Sequence, residues 1–274
     1  MRVVHSWGFG APGYKSNDGG ATWTAFETAP PVNGGRVAIS GANPQNFVWL
    51  PETANVYYTL DGGTTWNPAV NAPVIPLGLA SFQLHPLAAD RKRANTFYLV
   101  DVEGVPNYNT RVWRSTDGGA HWTVVGTIPP TAGAPYNYKI IADPLVANKI
   151  WIDFNIGQGV YKSSNGGATF TQVRTLVGSG LIAFGKPAPG RTNSSVVFYG
   201  DVNGSGVNGV FLSPDDGATW LPFPSFRFPA VGDWPTCLGA DRQTYGRAYI
   251  GTSGRGLFVG GYRCRALGRS RHAP

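Results

Sequence analysis

Short runs of β-branched and aromatic residues alternate along this chain with polar octets that are rich in glycine. Five octets share one pattern: Ser or Thr at the first position, Asp or Asn at the third, glycine at the fifth and an aromatic residue at the last. They are residues 16–23, 59–66, 115–122, 163–170 and 213–220. Their third residues lie 43, 56, 48 and 50 positions apart. A period of about fifty residues predicts a repeat protein.

Each octet is predicted to form a tight turn between two β-strands. An Asp or Asn side chain accepts hydrogen bonds from nearby backbone N–H groups, and glycine adopts positive φ without a Cβ clash. The pattern resembles the Asp-box, and we use that name for the five octets. Their structural residues are predicted to be Asp18, Asp61, Asp117, Asn165 and Asp215 with the closing aromatics Trp23, Trp66, Trp122, Phe170 and Trp220. No metal is expected there, because calcium takes about six to eight oxygen ligands.

Four strands fit within one repeat. In the second repeat they are predicted at residues 35–40, 46–50, 55–59 and 65–70, where β-branched and aromatic residues recur. The third repeat follows the same plan, with its first strand predicted at residues 81–85. Four antiparallel strands in a repeat of about fifty residues are typical of a β-propeller blade, so the fold class is predicted to be all-β.

The repeats at the two ends of the chain are each one strand short. The first begins at its second strand, residues 2–7, and the last has three strands and no Asp-box. The sequence therefore predicts about six blades, the first and last incomplete, in a partial β-propeller over residues 1–261. Residues 262–274 are predicted to form a basic, disordered tail. The missing strands predict either a piece of a longer protein or a partner chain that supplies the rest of the propeller.

The charge pattern argues against a nucleic-acid partner. The net charge is +7, but four of the 22 basic residues lie in the last thirteen, which leaves 18 against 15 acidic residues elsewhere. A short basic tail is typical of a solvated end. No membrane span and no signal peptide are predicted from the apolar pattern of this chain. Cys237 and Cys264 are expected to be free thiols, and no cofactor is expected.

Three segments resemble a known enzyme family. Residues 241–257, residues 34–40 (Gly-Gly-Arg-Val-Ala-Ile-Ser) and residues 159–170 are similar to parts of glycoside hydrolase family 74, the xyloglucan-cleaving endo-β-1,4-glucanases. The similarity extends in order over roughly residues 2–261 and places the chain in the C-terminal part of that family's second propeller.

The resemblance implies two seven-bladed propellers that face each other across a glucan-binding cleft, in an extracellular protein. It also implies inverting hydrolysis by two Asp residues, one a general base and one a general acid. Both would lie in parts of the enzyme that precede Met1, and no Asp in this chain matches either motif. We therefore assign no catalytic residue and expect this chain alone to be inactive. The expected partners are a polysaccharide, xyloglucan or a related β-glucan, and the N-terminal propeller half.

A substrate would contact the loops at the end of each blade opposite its Asp-box. Sugar sites combine flat aromatic side chains with a few amides and charged groups. The candidates for substrate binding are Trp7, Tyr108, Tyr136, Asn155, Asp201, Trp234 and Arg255. Trp234 is the preferred sugar-stacking residue. Blade packing is an alternative for the aromatics, turn capping for Asp201, and a structural tie to the neighbouring blade for Arg255.

Two other functional classes fit an Asp-box propeller, because fold does not decide function. One is a non-catalytic interaction or assembly module, as in sortilin-type receptors and photosystem assembly factors. The other is a sialidase, which needs three arginines on first strands. Arg36 is the only arginine in the predicted first strands, so the sequence disfavours a sialidase.

Overall fold

The computed structural model describes ten segments of the chain: residues 3–5, 13–26, 28, 34–52, 54–75, 84–103, 107–129, 137–155, 159–223 and 235–262. For residues 3–5, 137, 155 and 178–179 it describes the backbone only. The chain divides into two compact units, Met1–Gly180 and Leu181–Pro274. The regular structure described in both units is β-strand, and the strands pair antiparallel within each sheet.

Four sheets of short strands lie wholly within the first unit. A three-stranded sheet comes first, with the order β1 (Val3–His5), β2 (Tyr14–Ser16), β3 (Thr24–Ala25). The next is β4 (Arg36–Ile39), β5 (Phe47–Leu50), β6 (Tyr57–Thr59), β7 (Asn67–Pro68). The third is β8 (Leu87–Ala89), β9 (Phe97–Val102), β10 (Thr110–Ser115), β11 (Thr123–Ile128). The fourth is β12 (Asn137–Ala142), β13 (Ile150–Asn155), β14 (Gly159–Ser163), β15 (Thr171–Gln172).

Two sheets account for the strands that follow. The four-stranded sheet is β16 (Leu176–Gly185), β17 (Ser195–Val202), β18 (Asn208–Ser213), β19 (Leu221–Pro222). The three-stranded sheet is β20 (Pro235–Ala240), β21 (Arg247–Thr252), β22 (Leu257–Gly261). In each sheet the strands meet their neighbours in chain order, as in a propeller blade. The predicted β-propeller fold is confirmed: the described residues form six sheets, of which the first and last have three strands each.

The second strands of the four-stranded sheets carry most of the core. In β5, all four side chains are buried, and in β9 the five from Phe97 to Asp101 are buried, since both faces of the strand are covered. Val48, Val100 and Ile152 belong to one apolar cluster that joins three sheets of the first unit. The second unit has its own cluster, which includes Leu212 and Ile250. Burial of these side chains is the main stabilising contribution to the stack of blades.

The first strand of the third sheet differs from its predicted position. It lies at Leu87–Ala89 and pairs with β9, whereas the sequence pattern predicted residues 81–85. His85 instead bridges to the next sheet: its N–H donates to Tyr138 O (3.0 Å), and its carbonyl accepts from Ile140 N (3.0 Å). The backbone of His85 thus serves contact between blades. The single domain over residues 1–261 and the disordered tail stay predictions, and residues 263–274 lie outside the described part.

Candidate functional site

Each of the five Asp-boxes is closed by its own hydrogen bonds. In the first box Ser16 Oγ donates to Asp18 Oδ1 (2.8 Å) and accepts from Gly20 N (2.7 Å). Thr22 donates to Asp18 through its hydroxyl (2.6 Å) and its backbone N–H (2.9 Å), and these bonds hold the pKa of Asp18 well below its usual range. The boxes around Asp61, Asp117, Asn165 and Asp215 repeat the pattern.

The closing aromatics of the boxes differ in exposure. Trp122 is buried and donates Nε1–H to Gly119 O (2.9 Å), while Trp23 is exposed and makes the equivalent bond to Gly20 O (3.0 Å). The side-chain oxygens of the boxes are engaged within their own turns. This is the arrangement that the structural interpretation of the octets requires.

A second set of hydrogen bonds, which the sequence interpretation missed, links neighbouring blades near the same end. Asp90 follows β8; its Oδ2 accepts from Tyr98 Oη (3.1 Å) and from Asn148 N in the next sheet (2.8 Å). Ser40 occupies the corresponding place in the second sheet and accepts from Asn95 N (3.1 Å). Asp90 and Asn148 lie 58 positions apart, so no local sequence pattern pointed to this contact.

At the opposite end of the third sheet lies a polar group that we call the Arg111 cluster: Asp101, Glu103, Asn109, Arg111 and Trp113. Asp101 in β9 faces Arg111 in β10, and the guanidinium donates to both carboxylate oxygens, from Nε to Oδ1 (3.1 Å) and from Nη2 to Oδ2. Trp113 Nε1 donates to the same Oδ1 (2.8 Å). The guanidinium carbon of Arg111 lies 5.4 Å from the Trp113 ring centroid. The ion pair is therefore fixed in place on an aromatic surface.

The outer members of the cluster are more accessible than Asp101. Asn109 Nδ2 donates to Glu103 Oε2 (2.9 Å), and Arg111 Nη1 lies 3.7 Å from Glu103 Oε1. The side chains of Arg111 and Glu103 are 35% and 28% exposed. The hydrogen bonds that Arg111 donates to Asp101 raise the pKa of Arg111, which therefore stays cationic. The cluster offers both charges and an amide to a polar ligand.

The fourth sheet places a further carboxyl close to this end. Asp153 in β13 is 2% exposed, and its Oδ1 has no hydrogen-bond partner in the described part of the chain. Lys139 in β12 is its neighbour across the strand pair. Burial raises the pKa of Asp153 to about 8, and the charge of Lys139 opposes that shift. This carboxyl is buried in the core and is not available to a ligand.

The second sheet contributes Arg36, at the start of β4. Its Nε donates to Leu84 O (2.8 Å), the carbonyl that precedes the third sheet. Burial lowers the pKa of Arg36, and the negative charge of Glu52 opposes that shift. Charged side chains therefore occur at this end of three consecutive sheets of the first unit.

The predicted substrate-binding residues fall into two groups. Trp7, Tyr136 and Trp234 lie outside the described residues, and only the backbone of Asn155 is described, at the end of β13. Tyr108 is half-buried directly before Asn109 and has a left-handed φ of +49°, which is uncommon for a residue other than glycine. It thus borders the Arg111 cluster, which the sequence interpretation did not find.

The other two predicted residues lie in the second unit. Asp201 closes its own loop: it accepts from Ser205 N (2.8 Å), Ser205 Oγ (2.8 Å) and Gly206 N (2.9 Å). These bonds, the Ser205 hydroxyl first, lower the pKa of Asp201. Arg255 is exposed, and its N–H donates to Thr252 Oγ1 (3.0 Å). The substrate contacts of Asp201 and Arg255 stay predictions.

The described residues offer neither a metal site nor a membrane-spanning helix. They hold no group of three or more His, Cys, Asp or Glu side chains arranged to bind a metal ion. They also contain no helix with the length and apolarity needed to cross a membrane.

Comparison with known proteins places this geometry in context. The BNR/Asp-box repeat model matches residues 57–68, the second Asp-box with its flanking strands. The xyloglucanase Xgh74A of Acetivibrio thermocellus is 32% identical over 247 residues, which cover 89% of this chain and 26% of that protein. The chain thus spans about a quarter of the length of the curated relatives it matches.

Solved structures agree with the sequence match. The GH74 enzyme of Niastella koreensis has a TM-score of 0.74 at 26% identity, over 94% of this chain and 35% of that one. The GH74 xyloglucanase of Xanthomonas campestris has a TM-score of 0.73 at 27% identity, over 96% and 35% of the two chains.

Proposed function

We propose a function for this chain from its similarity to glycoside hydrolase family 74, which these matches confirm. We propose that it is the C-terminal propeller portion of an extracellular, xyloglucan-specific endo-β-1,4-glucanase. In this role it contributes part of the polysaccharide-binding cleft and lacks both catalytic Asp residues. The cleft lies at the end of the blades opposite the Asp-boxes.

The Arg111 cluster is the observation that carries this proposal. Sugars present apolar C–H faces and many hydroxyl groups, so their sites pair aromatic rings with fixed polar groups. The cluster has a Trp ring, a bidentate ion pair and an amide within one strand pair, and Tyr108 stands beside it. Its rigid geometry limits the entropy lost on binding. These features support binding at this end of the blade.

The state of three carboxyl groups at this end of the blades supports binding without hydrolysis. Inverting hydrolysis needs two carboxyl groups about 6.5–9.5 Å apart with a water between them. Asp101 is held by Arg111 and Trp113, Glu103 by Asn109, and Asp153 is buried. Each of the three is thus either bonded to neighbouring side chains or buried. We therefore assign the chemistry to another part of the enzyme.

The last sheet supports the proposed polypeptide partner. The outer strand β22 pairs with β21 on one side, and the described residues place no strand on its other side. Leu257 and Val259 in β22 are 67% and 60% exposed. Exposed apolar side chains that lie together on an outer strand favour contact with another polypeptide. We propose that the remaining propeller portion supplies the fourth strand here.

A binding experiment on the isolated chain tests the proposal. Xyloglucan is titrated by calorimetry, with dextran as the control polysaccharide, and we expect weak binding to xyloglucan alone. Arg111→Lys keeps the charge but loses the bidentate geometry, and Trp234→Ala removes the preferred stacking ring; both should weaken binding about tenfold. Trp23→Ala, an exposed Trp at the Asp-box end, is the matched control and should bind as the parent chain does.

Two outcomes would overturn the proposal. Absence of binding by the correctly folded parent chain would favour the interaction-module alternative instead. Xyloglucan hydrolysis by the isolated chain at the rate of an ordinary glucanase would show that it contains a catalytic pair. Circular dichroism of each variant separates a loss of binding from a loss of fold.

A further inference from the structure

Asparagine followed by glycine occurs three times in the described residues, in three different settings. The pairs are Asn165–Gly166, Asn203–Gly204 and Asn208–Gly209. In such a pair the backbone nitrogen of the glycine can attack the side-chain amide carbon of the asparagine, because glycine has no side chain to hinder the approach. Asparagine is for this reason among the chemically labile residues of proteins.

Asn203 has the setting that favours this reaction. It is exposed on the loop between β17 and β18, and Asn203 and Gly204 have φ values of +63° and +68°. Two consecutive residues with positive φ are typical of a type I′ turn. Within the part of the chain that the structure describes, no hydrogen bond involves the Asn203 amide or the Gly204 N–H. Both reacting groups are therefore open to solvent and unrestrained.

Asn165 has the opposite setting, although its sequence context is also Asn-Gly. Its Oδ1 accepts from Ser163 Oγ (2.9 Å) and Thr169 N (3.0 Å), and its Nδ2 donates to Thr169 Oγ1 (2.8 Å). The Gly166 N–H donates to Asn148 O (2.7 Å). These bonds must break before the glycine nitrogen can reach the amide carbon, which slows the reaction at Asn165 by roughly tenfold or more.

Asn208 is restrained by the sheet. It begins β18 and pairs with Asp201 across the ladder, and Gly209 pairs with Gly200. An extended backbone held in a ladder cannot fold back to close a five-membered ring without local opening.

We propose that Asn203 is a site of spontaneous deamidation in the folded protein. The Gly204 nitrogen loses its proton and forms a bond to Asn203 Cγ, the Cγ–Nδ2 bond breaks, and ammonia leaves with that proton. The succinimide ring then takes up one water molecule and opens to isoaspartate or aspartate. No oxidant, reductant or enzyme is needed. The rate rises with pH because the attacking nitrogen must be deprotonated.

The modification would disturb the loop that Asp201 closes. Isoaspartate adds one methylene to the backbone between Asn203 and Gly204, within the turn that brings Ser205 and Gly206 to the Asp201 carboxylate. Either product also adds a negative charge two residues from Asp201, which is unfavourable for like charges. Loop geometry at this end of the fifth blade would therefore change as the protein ages.

Peptide mapping by mass spectrometry tests the proposal. The full chain is incubated folded in mildly alkaline buffer, and the same chain is incubated unfolded in urea. We expect Asn203 to convert at least about tenfold faster than Asn165 in the folded chain, and the two to convert at similar rates when unfolded. In Asn203→Gln, isoaspartate at position 203 should be lost, because a longer side chain must close a larger ring.

The proposal is overturned if Asn165 converts as fast as Asn203 in the folded chain. It is equally overturned if Asn203 stays intact in the folded chain while it converts in urea. An isoaspartate-specific methyl transfer assay distinguishes the ring-opening product from direct hydrolysis, which would give aspartate alone and would also contradict the mechanism.

Discussion

Replacement of Asp153 by Asn should make the protein more stable in alkaline solution and leave it nearly unchanged in acid. Asp153 is 2% exposed in β13, and its Oδ1 has no partner among the described residues. Burial raises its pKa from the ordinary value of 3.8 to about 8, so between these pH values the folded protein keeps a proton that the unfolded chain has released. An Asn side chain has the shape of the protonated acid and does not titrate.

The size of the effect follows from proton linkage. A group whose pKa is raised in the folded state contributes stability that is present below the unfolded pKa and is lost as pH rises through the folded pKa. Between pH about 4 and about 8, stability should fall by up to about 1.4 kcal/mol per pH unit, or at most about 5 kcal/mol in all. The charge of Lys139, across the strand pair, limits the rise in the pKa of Asp153, so Lys139→Met should extend the loss of stability to higher pH.

Urea unfolding at several pH values measures the effect. We expect the difference in unfolding free energy between Asp153→Asn and the parent to grow from near zero at about pH 4 to about 3–5 kcal/mol at about pH 8. Asp201→Asn is the matched control, because burial does not raise the pKa of this carboxyl above its usual value. Parallel curves for the parent and Asp153→Asn would refute the reasoning, since they would mean that Asp153 is ionised in the folded protein.

Two other substitutions test the packing of the blades. Gly119→Ala should lower the free energy of unfolding by more than about 2 kcal/mol, because φ is +98° and an added Cβ would lie 2.4 Å from Val48 Cγ2. Gly19→Ala, the control, should lower it by only about 1–2 kcal/mol, because φ is +79° but an added Cβ would have nothing within 4 Å. Equal midpoints of thermal unfolding for the two variants would contradict this. Asp90→Ala should cost about 3 kcal/mol in urea unfolding, because it leaves Asn148 N without its partner from the neighbouring blade; a cost below about 0.5 kcal/mol would show that this link between blades is dispensable.

The architecture was predictable from sequence because the Asp-box is a local structure. Each box closes through hydrogen bonds between residues two to four positions apart, such as Ser16 to Asp18 and Thr22 to Asp18. The link from Asp90 to Asn148 spans 58 positions, and no local pattern specifies which polar groups meet across two blades. The first strand of the third blade was misplaced for the same reason, since His85 pairs with a different blade.

The Arg111 cluster escaped prediction because its residues occupy ordinary strand positions. Asp101 follows an apolar run that begins at Phe97. In β10, Arg111 and Trp113 are half-buried on either side of the buried Val112, as in any strand with one covered face. The informative signal is the pairing itself: a buried acid in one strand requires a counter-charge or a proton, and a facing Arg provides the first. Sequence alone does not give the register that sets Arg111 opposite Asp101.

The two ends of the blades hold their carboxylates in different ways, and the difference supports the proposal that a ligand binds at the end opposite the Asp-boxes. At the Asp-box end, carboxylates such as that of Asp18 accept hydrogen bonds within their own octet. At the other end, Asp153 keeps a proton, while Asp101 is paired with Arg111, whose guanidinium is only partly covered. A partly covered ion pair has hydrogen-bonding capacity left for a hydroxyl-rich ligand. Ligand binding should therefore respond to Arg111→Lys and remain insensitive to Asp153→Asn, even though the second substitution changes stability more at high pH.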